Sequence, residues 1–359
     1  MVNPDIAKQV LFVGPEFDHP RGGIQQIMST YKKELFPSMR SIANSGIGGF
    51  RNAWMMLLGL FKMWWKLLTC RDLRIVHIQT ASDRSFIRAS WFQRLAHMMG
   101  RKVVMHIHGG GFKRYYDRKP SNRDFVIKVL SKTDATIVLS QSWAEQFQAD
   151  LGLTNLWPIN NVISKPEFVE IENDGRIHML FMGLICRLKG VYDLVQAVSG
   201  IDQSLRSRIM VHIGGNGEQT DIDHLQQMIV ELGVQDFVVF EGWIDKMHKT
   251  DLLNRSSILL LPSYIEAQPI TILEGMSYGM AIVATNAGGI PTIVQDGVNG
   301  YLIEVGDTSA LTDRLEKLIH NPDLIKQFGK ESSEMITAFY PDQVAEELTR
   351  LYNSLLIQA

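Results

Sequence analysis

Glu266 and Glu274 stand eight positions apart, within LLLPSYIEAQPITILEGMSYGMAIVATNAGG, where an aliphatic strand gives way to a helix. The run Ile258 to Leu261 predicts a buried strand, and Pro262-Ser263 ends it. Glu266 rides the loop that follows, and Pro269 takes what reads as the first helical position. Glu274 then falls about one and a half turns along that helix. The helix start, with Ile270 in its first turn, aims unpaired backbone N–H groups beyond the strand end. A diphosphate suits that position. Two carboxylates beside it suit sugar hydroxyls, because a carboxylate accepts from a vicinal diol through both oxygens. The plain alternative is a pair of solvated helix and loop glutamates.

Other residues point the same way. FMGLICRLKGVYDLVQAV ends a strand at Gly183 and carries Arg187 and Lys189 on the loop before Gly190. Two cations at a strand's C-terminal end are placed to neutralise a departing diphosphate, although loop basics are often merely solvated. MVHIGGNGE sets Gly214, Gly215 and Gly217 between a strand and a helix. Alone, that run fits a nucleotide loop or a tight turn equally well. VVMHIHGGGF puts His106 and His108 on one face of a strand that ends in three glycines. The spacing supplies no third zinc ligand. GPEFDHPRGGIQQ opens a helix at Gly22 and Gly23, whose N–H groups suit a phosphate, with Asp18 and Arg21 as lip residues. It lacks the dinucleotide fingerprint of a nicotinamide enzyme. Asp221-Ile222-Asp223 spells the acidic pair of metal-dependent transferases but leads into a helix, where acids complement the dipole. No metal is expected.

Taken together, these motifs resemble the family 4 retaining glycosyltransferases of GT-B fold (glycosyl transferases group 1), marked by a glutamate pair with seven residues between. Matches run through most of residues 178–305 and are shorter in the first half. The resemblance implies an α/β fold of two Rossmann-like domains facing across a cleft. It also implies that Glu274 accepts ribose hydroxyls, Glu266 contacts the transferred sugar and Lys189 holds the donor diphosphate. His108 would lie next to the sugar and the acceptor. Three departures stand out: Leu184 replaces the arginine that follows the glycine, Gln268 replaces an apolar residue and Thr292 replaces a glutamate. Arg187 is the expected substitute for that arginine. The candidate catalytic set is therefore His108, Lys189, Arg187 and Glu266. The candidate donor set adds Gly22, Gly23, Gly183, Gly215, Pro269, Ile270 and Glu274. The implied reaction moves a sugar from a UDP- or GDP-sugar to a hydroxyl of a glycan acceptor with retained configuration, the departing diphosphate helping to deprotonate it. Neither cofactor nor metal is implied. Two other classes fit the same features: a nucleotide-sugar 2-epimerase of this fold, and a non-catalytic sugar-nucleotide-binding protein.

The elements that must position these residues alternate strand and helix throughout, which predicts parallel sheets wrapped by helices. Strands are expected at 9–14, 74–79, 102–108 and 135–139, then at 177–182, 209–213, 237–240, 257–261 and 281–284. Helices are expected at 22–36, 50–69, 85–99, 121–132 and 141–150, then at 190–199, 221–232, 248–254, 269–278 and 290–295. Three more should cover 309–320, 322–337 and 341–357. The polar stretch 157–176 reads as a connection. That divides the chain into an acceptor-binding domain over 1–165, a donor-binding domain over 166–340 and a helix over 341–359 that packs back on the first.

At 359 residues the chain is long for one core, and 45% apolar with 21% charged residues is ordinary for a soluble protein. A net charge of -2 gives no reason to expect nucleic acid. Two cysteines, Cys70 and Cys186, exclude a disulfide scaffold and fit a cytoplasmic location. The start, MVNPDIAKQVLFVG, lacks the charged-then-apolar pattern of a signal peptide. WMMLLGLFKMWWKLL, residues 54–68, is too short to span a bilayer and is interrupted by Lys62 and Lys66. On a helix, Met55, Gly59, Lys62, Lys66 and Thr69 share one narrow stripe. The segment fits a core helix or an interfacial helix in a membrane leaflet, with Arg51, Arg71 and Arg74 flanking it. With the cluster Lys113, Arg114, Arg118 and Lys119, it suggests a polyprenyl-diphosphate-linked acceptor at the inner membrane, in assembly of a bacterial surface polysaccharide.

Overall fold

The computed structural model describes residues 1–18, 22–45, 49–172 and 174–357, with the backbone alone over 49–52. Arg21 lies outside the described residues. The chain forms two compact units, one of Met1–Ser164 with Ala338–Ala359 and one of Lys165–Thr337.

In the first unit, strands β1 (Val10–Pro15), β2 (Arg40–Ser45), β3 (Ile75–Thr80), β4 (Lys102–Ile107), β5 (Ala135–Val138) and β6 (Leu156–Pro158) build one sheet. Their spatial order is β2-β1-β3-β4-β5-β6, and every pairing is parallel. The second unit repeats the plan with β7 (Ile177–Met182), β8 (Ile209–Gly214), β9 (Val238–Gly242), β10 (Ile258–Leu261), β11 (Ala281–Thr285) and β12 (Gly300–Ile303). Its order is β12-β11-β10-β7-β8-β9, again parallel. Parallel strands need crossovers, and crossover helices cover both sheet faces, so central strands are continuously apolar. Ile258 to Leu261 and Ala281 to Thr285 are buried at every position for that reason.

The central strands and the long helices fall where the apolar runs put them. The three strands outside the expected set share one cause. β2, β6 and β12, each at a sheet edge, were not expected. Edge strands pair on one side only and need less apolar sequence, so RSIANS, LWP and GYLI carry a weak strand signal. β6 also moves the start of the connection beyond Pro158, whose missing N–H an edge tolerates. The expected helix over 22–36 is an α-helix, Gly23–Thr30, followed by one π turn, Tyr31–Leu35, which carries Tyr31 into the core. The helix expected at 290–295 is a single 3-10 turn, Ile290–Thr292.

Helix Gly49–Thr69 lies over β2. Met63 and Leu67 are buried, and Gly59 belongs with them rather than with the lysines. A Cβ at Gly59 would sit 2.8 Å from the Ala43 carbonyl oxygen and 3.1 Å from the Phe92 ring, so only glycine admits this close approach. The opposite arc of the helix, from Trp54 to Leu68, faces water.

Helix Pro341–Ile357 completes the first unit, burying Val344, Leu348, Leu351, Tyr352 and Leu355. Each such side chain is worth about 1.5–3 kcal/mol when removed from water, against a typical net stability of about 5–15 kcal/mol for a domain. A chain ending at Thr337 is therefore expected to lose the first unit's unfolding transition in calorimetry while the second unit's transition persists. Retention of both transitions would show that the helix adds little to that core.

Candidate functional site

In the second unit the chemistry-bearing residues gather at the C-terminal ends of β7, β8 and β10, the side of a parallel sheet where loops and helix N-termini converge. Glu266 and Glu274 are 9% and 7% exposed, far below what unpaired carboxylates tolerate. Each has a lysine. Lys189 donates to Glu266 Oε1, and Lys249 donates to Glu274 Oε1 at 2.5 Å. Lys249 comes from helix Lys246–Arg255, which follows β9 and carries no motif that marks the residue in sequence. Removing one partner of a buried pair leaves an uncompensated charge and costs about 3–5 kcal/mol.

Backbone contacts fix the loops. The Tyr264 N–H donates to Leu188 O at 2.9 Å, tying the β10 loop to the β7 loop. Gly190, at φ 70°, closes the 3-10 turn Arg187–Lys189. A Cβ there would collide with the Pro262 carbonyl, so glycine is required both for its left-handed backbone and for contact. Gly289 N–H donates to Glu266 O at 3.1 Å, holding the loop after β11 against the carboxylate's own backbone. Pro269 is the N-cap of helix Ile270–Ser277, one position earlier than its sequence position implied. Ile272 and Leu273 N–H donate to Pro269 O, so Ile270 and Thr271 supply the N–H groups that lie ahead of the helix ladder.

The remaining sequence candidates divide. Gly183 N–H donates to Gly214 O, and Gly215 N–H donates to Gly242 O, at 3.0 and 2.8 Å. A Cβ on Gly215 would strike the Gly183 carbonyl, so these glycines let three loops cross closely. Arg187 is exposed and lies by the Tyr264 hydroxyl. There Asp193 holds the phenol above its usual pKa and Arg187 opposes that shift. Leu184 points outward, Gln268 is buried, and Thr292 Oγ1 donates to Gly289 O at 2.6 Å. Asp221 accepts from Tyr192 and Asp223 from Gln219. A stacked pair, His178 and His212, links Asp174 to Glu241, and Glu241 also meets His248 at 3.3 Å. That chain ties the helix bearing Lys249 to β8 and β9.

In the first unit, Gly22 caps helix Gly23–Thr30, as expected, and Asp18 is exposed. Two members of the basic cluster are already neutralised: Lys113 pairs with Asp117 and Asp150, and Arg118 with Asp83. They therefore offer less charge to a ligand than the sequence suggested. His106 and His108 do share a face, with stacked rings 4.1 Å apart. Both are buried and belong to a longer array. Tyr352 Oη meets His77 Nδ1 at 2.6 Å, His77 Nε2 meets His106 Nδ1 at 3.2 Å, and Gln79 bridges His77 to His108.

Burial pulls His77 and His108 down to about 3 and drives His106 in the same direction. Asn161 beside His108 opposes that shift. Below the ordinary histidine value of 6.5, the unfolded chain takes up protons that the folded unit excludes. The array's stabilisation is complete above that value and shrinks by about 1.4 kcal/mol per histidine for each pH unit below it. The first unit should melt at a clearly lower temperature at about pH 5 than at about pH 7.5, with a shallower dependence in His106→Gln. Equal melting of the wild type at both values would contradict neutral burial.

Residues 164–335 match the profile of the family described as glycosyl transferases group 1. A D-inositol 3-phosphate glycosyltransferase of Streptomyces griseus is 30% identical over 183 residues, covering 49% of this chain and 39% of its own. N-acetyl-alpha-D-glucosaminyl L-malate synthase of Bacillus anthracis is 29% identical over 171 residues, covering 47% of this chain and 43% of its own. The matched region thus spans about two-fifths of the length of these curated relatives. Anabaena HepE in complex with UDP superposes with a TM-score of 0.77 at 16% identity, covering 96% of this chain and 100% of its own, a likeness of fold. The pair of parallel six-stranded α/β units is the GT-B architecture. Residues 164–335 are thus similar to the glycosyl transferases group 1 family, on a chain whose fold is that of GT-B glycosyltransferases.

Proposed function

We propose that this protein is a retaining, metal-independent glycosyltransferase that moves a sugar from a nucleoside diphosphate sugar to a hydroxyl of a glycan acceptor. The observation that carries this reading is the pair of buried carboxylates, each held by a half-buried lysine (Lys189–Glu266 and Lys249–Glu274), beside the start of helix Ile270–Ser277. A donor diphosphate entering there draws the Lys189 ammonium toward its oxygens and meets the Ile270 and Thr271 N–H groups. Glu266 exchanges its lysine for hydroxyls of the sugar. Glu274, steadied by Lys249, accepts from the ribose diol. The UDP named with HepE supports a UDP-linked donor, and the glycosyltransferase named among the curated relatives supports sugar transfer.

The bond from the anomeric carbon to the diphosphate oxygen breaks, and a bond to the acceptor oxygen forms on the same face. The acceptor proton passes to the departing diphosphate. Lys189 and the helix start stabilise the charge that develops on the leaving group, in the place a metal takes in other transferases. Arg187, next to Tyr264, adds positive charge at the loop. His108, held neutral by burial, is the candidate catalytic residue within the first unit. We place the reaction at the cytoplasmic membrane surface, on a lipid-linked acceptor such as a polyprenyl-diphosphate sugar, in surface polysaccharide synthesis. The water-facing apolar arc of helix Gly49–Thr69 supports that placement.

A thermal-shift screen of UDP, GDP and their sugars is expected to find a stabilising donor. Lys189→Ala should lower kcat by about 10²–10³-fold, the range for loss of one charge-stabilising donor, with a smaller change in KM. Glu274→Ala should weaken nucleotide binding by roughly tenfold or more. Full activity in both variants, or no shift with any nucleotide, would overturn the assignment. Donor turnover without glycosylated product would instead identify an epimerase.

A further inference from the structure

Helix Gly49–Thr69 and helix Arg84–Met98 pack on each other in the first unit, Gly59 against Phe92. Each turns a row of large apolar side chains to water. On the first, Leu57, Phe61, Trp64, Trp65 and Leu68 recur at helical spacing and are 39% to 60% exposed. On the second, Ile87, Trp91 and Met98 form a matching row, with Trp91 48% and Met98 82% exposed. Arg94 fills the remaining turn of that row and lies 5.2 Å over the Trp91 ring. Isolated exposed apolar residues need no explanation, but two adjacent helices with such rows form a patch that does.

The charges on both helices have one sign. Neither helix contains an Asp or Glu, whereas Lys62, Lys66, Arg84, Arg88 and Arg94 are all cationic. Lys62 and Lys66 border the exposed apolar arc on the first helix, where long basic side chains can reach headgroups while the apolar arc sits deeper. A second copy docked on the same patch would set these cations against themselves, which opposes a symmetric dimer. Indole rings favour the interfacial zone of a bilayer. Among the described residues, no helix is long and apolar enough to cross a membrane, so the geometry is that of helices lying in its surface.

We propose that helices Gly49–Thr69 and Arg84–Met98 together form a docking surface for an anionic lipid bilayer, with their apolar rows in the leaflet and their cations at the headgroups. The surface does not depend on which sugar is transferred, or on whether transfer occurs.

Flotation of the full chain with vesicles tests it. Binding is expected to vesicles of phosphatidylcholine with about one-third phosphatidylglycerol, and it should weaken when salt rises several-fold above roughly 0.1 M. Phe61→Ser/Trp65→Ser and Trp91→Ser/Met98→Ser should each reduce binding by about tenfold or more, since each removes two apolar anchors. Trp243→Ser, 61% exposed in the second unit, should bind as the wild type does. Donor turnover on a water-soluble acceptor should be unchanged in these variants, which keeps this test separate from that of the transfer reaction. Three outcomes would overturn the proposal: no flotation with anionic vesicles, equal flotation of both double variants and the wild type, or a dimer in light scattering that the variants dissociate while vesicles stay unbound.

Discussion

A carboxylate removed from water needs a cation or strong donors close by, and that constraint organises the second unit. Glu266 and Glu274 are both buried where loops converge, so the fold must deliver a lysine to each. Lys189 arrives from the loop after β7, and Lys249 from the helix after β9. The surrounding backbone serves those deliveries: Gly190 lets the first loop press on Pro262, and the Tyr264 N–H locks the two loops together. A charged ligand can enter such a site by replacing one ionic partner with another, so little new burial of charge is required. Ionic groups held ready in this way need little reorganisation when charge develops on a leaving group.

The first unit meets the same constraint with the opposite solution. Its three buried histidines are bases that burial keeps neutral rather than paired with acids. His77, His106 and His108 share hydrogen bonds with Gln79 and Tyr352 across two strands and the last helix. The C-terminal helix is therefore bound to the first unit by polar contact as well as by its apolar face. An acid-sensitive core is the consequence.

Much of the second unit's site was legible in sequence because its signals are local. A proline before a helix, a glycine after Lys189 and an aliphatic run before Pro262 each act within a few residues. The lysine that neutralises Glu274 was not legible: Lys249 lies 25 positions away along the chain, and no spacing rule connects a helix residue to a carboxylate beyond the next strand. Sheet edges escaped notice for a related reason, since a strand paired on one side has little apolar sequence to reveal it. Lys113 and Arg118 carry less free charge than their sequence implies, because their partners Asp150 and Asp83 are distant in sequence and close in space.

The α/β alternation, the two-part division and the glutamate pair are all readable along the chain, because periodicity, turn chemistry and motif spacing are properties of neighbouring residues. Folding in three dimensions sets which charge neutralises which, joins the histidines in one neutral array and turns Gly59 inward while the tryptophans around it face water. Burial and pairing depend on atoms brought together from different elements, and a linear chain does not specify those distances until its sheets are assembled.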